Sequence, residues 1–215
     1  MRRIIKGTVG KIKSMLNKVY CNNCISIMKR LPDKSIDFIL TDPPYGIGIT
    51  YDNYNDTDEE WVKLMSLALP EIIRVSKMAI LPSCQIKKLK WIYDHFPPDW
   101  LIAWYKGSPG HCSYIGFNDW EPHLVYGRRL NSLYMHDHFQ TVSSPKKGTF
   151  GHPCPKPKAW AEWLITRVAR KDKITILDPF AGIGTVPVVA KELGHNYIAI
   201  DISKKYCNIM TRRLK

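Results

Sequence analysis

Ile174-Thr175-Ile176-Leu177-Asp178-Pro179-Phe180-Ala181-Gly182-Ile183-Gly184-Thr185 reads as a short buried strand that runs directly into a glycine-bearing turn. The apolar run from Val186 to Leu193 continues it as a helix, and Gly194-His195-Asn196 supplies the C-cap and turn. Tyr197-Ile198-Ala199-Ile200 is then a second strand, ending in Asp201, 17 residues after Gly184. This is a βαβ unit with a glycine-rich first turn and an acid at the tip of its second strand. The glycines let a nucleoside approach the backbone, and the acid accepts from ribose hydroxyls. The full G-x-G-x-x-G fingerprint is absent, and Asp178 stands at the first strand's tip. A ligand with an adenosine, no phosphates and a charged amino-acid tail therefore fits better than a pyrophosphate. Asp178 and the turn would face the amino-acid part, and Asp201 the ribose. An ordinary tight βα turn is the alternative that a Gly-x-Gly by itself leaves open.

A second unusual strand end lies far upstream. Ile36-Asp37-Phe38-Ile39-Leu40 reads as a buried parallel strand, and Thr41-Asp42-Pro43-Pro44-Tyr45-Gly46 follows it. Asp42 offers a carboxylate. Pro43 has a carbonyl but no N–H, so it leaves an acceptor free. Tyr45 offers a flat aromatic face. Two acceptors and a stacking platform suit a planar heterocycle with an exocyclic amino group.

Length and charge narrow the class of partner. The 215 residues suffice for one domain with a full core. Lys and Arg number 32 against 19 Asp and Glu, a formal net charge of +13. Such an excess points to an anionic partner, nucleic acid before membrane, because no amphipathic lipid anchor is evident. No stretch approaches the roughly 18 apolar residues of a spanning helix. The N-terminus lacks the long apolar core of a secretion signal. The six cysteines are scattered, as expected in a reducing cytoplasm. Cys21-x-x-Cys24 has no second pair at zinc-ribbon spacing, so the thiols read as structural and no metal is expected.

Between these landmarks strands and helices alternate, which predicts an α/β protein with a mainly parallel sheet. Residues 1–18 form a basic arm. Lys18 to Cys21 is a strand candidate and Ser26 to Leu31 a helical turn. Tyr51 to Asp56 reads as a mobile flap beside the site. Thr57-Asp58-Glu59-Glu60 is a capping box that opens a helix, which Pro70 kinks or divides. Met78 to Leu81, Trp100 to Tyr105 and Pro122 to Tyr126 are further strands, with a basic amphipathic helix from Ile86 to Phe96. The least regular segment, 127–157, carries Arg128, Arg129, Lys146 and Lys147 and is the candidate DNA-contact loop.

The motifs together resemble the amino-methylating DNA methyltransferases, the N6-adenine and N4-cytosine group, in its permuted beta class. Asp42-Pro43-Pro44-Tyr45 is similar to that group's catalytic motif, and Asp178 to Thr185 to its S-adenosyl-L-methionine motif. His152-Pro153-Cys154-Pro155-Lys156-Pro157 is similar to its "HPTQKP" segment, and the match continues through Asp201-Ile202 to Tyr206-Cys207. The resemblance covers the chain from about Lys18 onward. It implies a Rossmann-like fold with a mixed, mostly parallel seven-stranded sheet, one strand antiparallel near an edge, and helices on both faces. The catalytic motif precedes the cofactor motif, as in a circular permutation.

The resemblance also implies an activity. The target base is flipped from the duplex, its amino group donates to Asp42 and the Pro43 carbonyl, Tyr45 stacks on the ring, and the nitrogen attacks the methyl of S-adenosyl-L-methionine. Asn22, Asp42, His152, Lys156, Asp178, Pro179, Phe180, Ala181, Gly182, Gly184, Thr185, Asp201 and Ile202 are the implied cofactor residues. Asn22 stands where the family often has Asp. Adenine N6 is preferred over cytosine N4, whose enzymes more often carry Ser in place of Asp42. Cytosine C5 methylation would leave the Asp42 site unexplained, and methylation of RNA or of a protein glutamine usually goes with Asn there. A catalytically silent DNA-binding protein of the same fold is the alternative from another class. The implied partner is DNA, in a bacterial or phage-infected cytoplasm, with a homodimer left open.

Overall fold

The computed structural model describes residues 12–82, 86–106, 112–113, 116–117, 119–130, 136–141, 149–169 and 172–215. Its elements in chain order are β1 (Lys18–Cys21), α1 (Cys24–Met28), β2 (Ile36–Leu40), α2 (Asp58–Val75), β3 (Ser76–Pro82), α3 (Ile86–His95) and β4 (Trp100–Tyr105). A small hairpin of β5 (Cys112–Ser113) and β6 (Gly116–Phe117) follows, then β7 (Trp120–Gly127) and β8 (His138–Gln140). The chain ends with α4 (Lys158–Val168), β9 (Thr175–Asp178), α5 (Thr185–Glu192), β10 (Asn196–Asp201) and α6 (Lys204–Arg213).

The main sheet runs β1-β10-β9-β2-β3-β7-β4-β8. β7 is antiparallel to both its neighbours, and the other pairings are parallel. The expected seven strands are thus eight among the described residues. The extra one, β8, comes from the segment expected to be irregular. It holds three residues and buries Phe139, whose ring stacks on Trp163 at 4.1 Å. One apolar residue between His138 and Gln140 is too short a pattern to show a period.

Alternation along the strands divides the core in two. Met78 and Ile80 of β3 face α4, α5 and α6, whereas Ala79 and Leu81 face α1, α2 and α3. Tyr197 and Ala199 against Ile198 and Ile200 repeat this in β10. Helices on both faces let these strands be apolar throughout. α2 runs unbroken through Pro70. The missing N–H and ring of a mid-helix proline cost about 3 kcal/mol, and burial of Trp61, Met65, Ala68, Leu69 and Ile72 along the same helix offsets this. Thr57 caps it as expected, accepting from the Glu60 N–H at 3.3 Å. Of the basic arm, the described residues 12–17 pack rather than project. Ile12, Met15 and Leu16 lie against the second cluster, and the Asn17 N–H donates to the Tyr197 carbonyl at 2.6 Å.

The topology has one consequence for the site. β1, β10, β9 and β2 are adjacent and parallel, so their C-terminal ends emerge side by side. In sheet order these ends carry Asn22, Asp201, Asp178 and Asp42. At about 4.8 Å per strand, the four positions span roughly 14 Å.

Gly184 fixes how the last helix closes over this edge. It caps α5 at φ 86°, and a Cβ there would stand 2.5 Å from Cγ of the fully buried Met210 on α6. Gly184→Ala should therefore lower stability by about 2 kcal/mol or more, from left-handed strain and overpacking together. Urea unfolding of the variant beside the native chain measures it.

Candidate functional site

A single cavity at the C-terminal edge of the sheet is lined by residues from both motif regions. Asn22, Asp42, His152, Lys156, Asp178, Pro179, Phe180, Ala181, Gly182, Thr185, Asp201 and Ile202 all line it. Gly184 does not; its missing Cβ serves Met210. Gly182 does approach the cavity, at φ 51°, and a Cβ on it would meet His152 Nε2 at 3.1 Å.

The acids at the strand tips are each held by short bonds. Thr41 donates its hydroxyl to Asp178 Oδ1 at 2.6 Å, tying the end of β2 to the end of β9. The Phe180 N–H also reaches that oxygen, at 3.2 Å. Burial raises the Asp178 carboxyl to about 8, against these bonds, which favour its charged form. Asp201 accepts from the Gly182 N–H at 2.7 Å and the Ser203 N–H at 2.8 Å. These bonds leave lone pairs of Asp201 for hydroxyls, and burial raises its pKa too. Asn22 accepts the Asn23 N–H on its side-chain oxygen at 2.8 Å. Ile202, 54% exposed, is an apolar cover beside Asp201.

His152 is neutral here. Its Nδ1 accepts from the Cys154 N–H at 3.2 Å, and burial lowers its pKa to about 4. The Thr185 hydroxyl donates to the Lys156 carbonyl at 3.2 Å, so one contact of that side chain is to backbone rather than to the cavity.

The loop after Tyr45 forms the front wall through Tyr51, Asp52, Asn53 and Tyr54. Sequence reading expected a mobile flap, and the structure shows a tied loop. Asp56, 2% exposed, gathers the N–H groups of Gly46, Ile47 and Ile49 at 2.6, 3.1 and 3.1 Å. Ser203 donates to Asp52 at 2.6 Å, fastening the loop to the turn after β10. A lone Asp after a polar run carries no sequence signal for such a nest.

At the catalytic-motif end the arrangement differs from a bare acceptor with a stacking ring. The Tyr45 hydroxyl lies 2.7 Å from Asp42 Oδ1 and 2.7 Å from Glu121 Oε1. Lys156, expected to serve the cofactor, brings its ammonium 3.2 Å from Asp42 and 3.4 Å from Glu121, within hydrogen-bond distance of the Tyr45 hydroxyl. The same ammonium is 4.8 Å from the centre of the Tyr45 ring, at its hydroxyl end rather than over its face. Sequence reading missed Glu121 and Lys106, and this place for His123; Lys106 follows β4, the other two lie on β7, and they share no local motif. Lys106 pairs with Glu121 at 3.2 Å. Trp160 donates to His123 Nε2 at 2.6 Å, so the His123 proton sits on Nδ1, facing the Glu121 carbonyl at 3.2 Å. Burial holds His123 neutral, with a pKa lowered to about 4. Burial works against charge on both acids, yet the Lys156 and Lys106 ammonium groups bring Glu121 down to about 2 while Asp42 stays raised.

The proposed DNA contacts separate. Arg128 and Arg129 are exposed, but they follow the C-terminal end of antiparallel β7, where Gly127 pairs with Met78 near the start of β3. That is the edge opposite the cavity, because an antiparallel strand exits where its parallel neighbours enter. Lys146 and Lys147 lie outside the described residues.

Comparison with known proteins agrees with this geometry. Residues 83–212 match the family model for N6/N4 DNA methylases. The type II methyltransferase M.HpaI of Haemophilus parainfluenzae is 29% identical over 93% of this chain and 74% of its own length. M.HinfI of Haemophilus influenzae is 26% identical over 95% and 70%. Among solved structures, the M1.HpyAVI–SAM complex superimposes with a TM-score of 0.65 at 22% identity, over 92% of this chain and 98% of that one. PvuII DNA methyltransferase, a cytosine-N4-specific enzyme, gives 0.68 at 15% identity, over 91% and 85%. These two likenesses establish the fold, and the family match over more than half of the chain establishes the rest. The chain belongs to the N6/N4 DNA methylase family: it is an S-adenosylmethionine-dependent DNA methyltransferase.

Proposed function

We propose that the enzyme methylates the N6 amino group of a flipped adenine. The observation that carries this reading is the placement of Asp42 in the same cavity as Asp178 and Asp201, on neighbouring strand tips. Along the sheet edge Asn22 and Ile202 would hold the cofactor's adenine, Asp201 its ribose hydroxyls and Asp178 its amino-acid end, and the bound cofactor would supply an electrophilic sulfonium methyl group beside Asp42. Asp42, Asp52, Asp178 and Asp201 all line the cavity. A chain of net charge +13 thus keeps an acidic pocket, which favours a cationic sulfonium over a phosphate.

Asp42 accepts a hydrogen from the target amino group, and the Pro43 carbonyl accepts the other. Both acceptors strengthen as the nitrogen becomes tetrahedral and positive, so their contribution belongs to the transition state. Pro44 holds the turn, and the ring of Tyr45 is the stacking partner. A carboxylate at residue 42 is the feature that favours adenine N6. Methylating DNA in vitro, digesting it to nucleosides and separating N6-methyladenine from N4-methylcytosine tests the base. N4-methylcytosine as the main product would overturn the assignment.

Asp42→Ala should lower the single-turnover rate by roughly 100-fold or more, the loss seen when one preorganised transition-state partner is removed. Cofactor binding by calorimetry should change little. A wild-type rate in this variant would remove Asp42 from the chemistry.

Asp201→Ala should weaken S-adenosylmethionine by about 1–3 kcal/mol, the range for a lost bond to a charged acceptor. Unchanged affinity would place the ribose elsewhere.

Recognition should be short. With Arg128 and Arg129 on the far edge, base reading falls to few side chains, each worth about 1–3 kcal/mol of discrimination. A site of about two to four base pairs is expected. Genome-wide mapping of methylated positions checks this, and a strict site of about six base pairs would call for a second copy of the chain as co-reader.

A further inference from the structure

Glu121 is 5% exposed on β7, two strands away from β2, and the chemistry just proposed does not use it. Three observations tie it to Asp42. The Tyr45 hydroxyl has one hydrogen and stands 2.7 Å from both carboxylates. It can donate to one of them at a time. The Lys156 ammonium reaches the same two carboxylates and the Tyr45 hydroxyl as well. Glu121 is in turn braced from behind by Lys106 at 3.2 Å and by the neutral His123–Trp160 pair. Asp42 is therefore engaged by a hydroxyl and an ammonium. A target amino group needs that oxygen, and a nitrogen turning positive is repelled by a cation held against the same carboxylate.

We propose that Glu121 is a positioning residue of the methyl transfer: as the base docks, it takes over the Tyr45 hydroxyl hydrogen and the Lys156 ammonium, freeing Asp42. This rests on the reading of the site as an amino-methyltransferase centre. The exchange needs no net proton movement. The hydroxyl turns from one carboxylate to the other, and the ammonium keeps Glu121 as its counter-ion. The charged and titratable groups around the pair are Lys156 ahead of α4, Lys106 after β4, His123 on β7, Tyr45 after β2 and Asp178 at the tip of β9. The ammonium stands 3.2 Å from Asp42 and 3.4 Å from Glu121, so the handover asks for little movement, and it ends on the acid that stays charged, Glu121. Its carboxyl is pulled down to about 2, whereas that of Asp42 remains raised by burial with Glu121 beside it.

The test is the single-turnover methylation rate of the full chain on DNA, followed across pH with cofactor in excess. Glu121→Gln keeps the shape and removes the charge. The rate should fall about tenfold or more, with cofactor affinity by calorimetry within about twofold of wild type. The acid limb of the profile should move to lower pH, because Glu121 no longer holds a proton on Asp42. Lys156→Met should move that limb to higher pH. Once the lysine is gone Glu121 has only the Tyr45 hydroxyl left to withdraw, so adding Glu121→Gln to Lys156→Met should cost less than about threefold. This second comparison decides the matter should Glu121→Gln by itself fail to fold. A wild-type rate with an unmoved limb in Glu121→Gln, or an equal loss with and without Lys156, overturns the proposal. A native chain that methylates no DNA would instead overturn the reading of the site on which it rests.

Discussion

Parallel strands cannot be joined by tight turns, so each one delivers its outgoing loop to the same edge of the sheet. Everything chemical in this protein depends on that constraint. β2 and β9 are separated by about 135 residues of chain yet lie side by side, pinned at their tips by the bond from Thr41 to Asp178. The order of strands, not of residues, sets Asn22, Asp201, Asp178 and Asp42 in a row. A ligand laid along the edge meets them in that sequence wherever the chain begins.

The same edge concentrates negative charge in a positive protein. Buried carboxylates are costly unless they are bonded, and each one here has its own solution. Asp178 has a hydroxyl and an N–H, Asp201 has two N–H groups, and Asp56 behind the wall has three. All of these partners are neutral dipoles fixed by the turn geometry. Asp42 and Glu121 instead share a lysine, a mobile charge on a long stem. The contrast separates acids that hold a shape from acids that must exchange partners.

The βαβ unit, the Asp42 turn and most strands were legible in the sequence because their signals are local: apolar runs of strand length, glycines at a turn, an acid at a strand end. Twelve of the thirteen cofactor residues that the family resemblance implied line one cavity, and Gly184 does not, because a glycine needed for helix packing looks like one needed for a ligand. β8 was illegible because its burial rests on one residue, Phe139, stacked on tryptophans far away in sequence. Arg128 and Arg129 were misplaced because charge in a loop does not tell which edge of the sheet the loop leaves. Only the antiparallel direction of β7 does, and a strand's direction is a tertiary fact.

Direction also explains why Glu121 escaped notice. β7 starts at the cavity edge and leaves from the opposite one, so its first residues rather than its last meet the site. A search for acids at the C-terminal ends of strands passes over it. Yet an antiparallel strand is the natural place for such a group. It brings a carboxylate toward Asp42 from a separate loop, across the Lys156 ammonium, so two acids of unequal strength can compete for one cation. An acid beside Asp42 on its own loop would move with it. Placing the competitor on β7, held by Lys106 and the His123–Trp160 pair, lets the lysine change partner while both carboxylates stay where the sheet puts them.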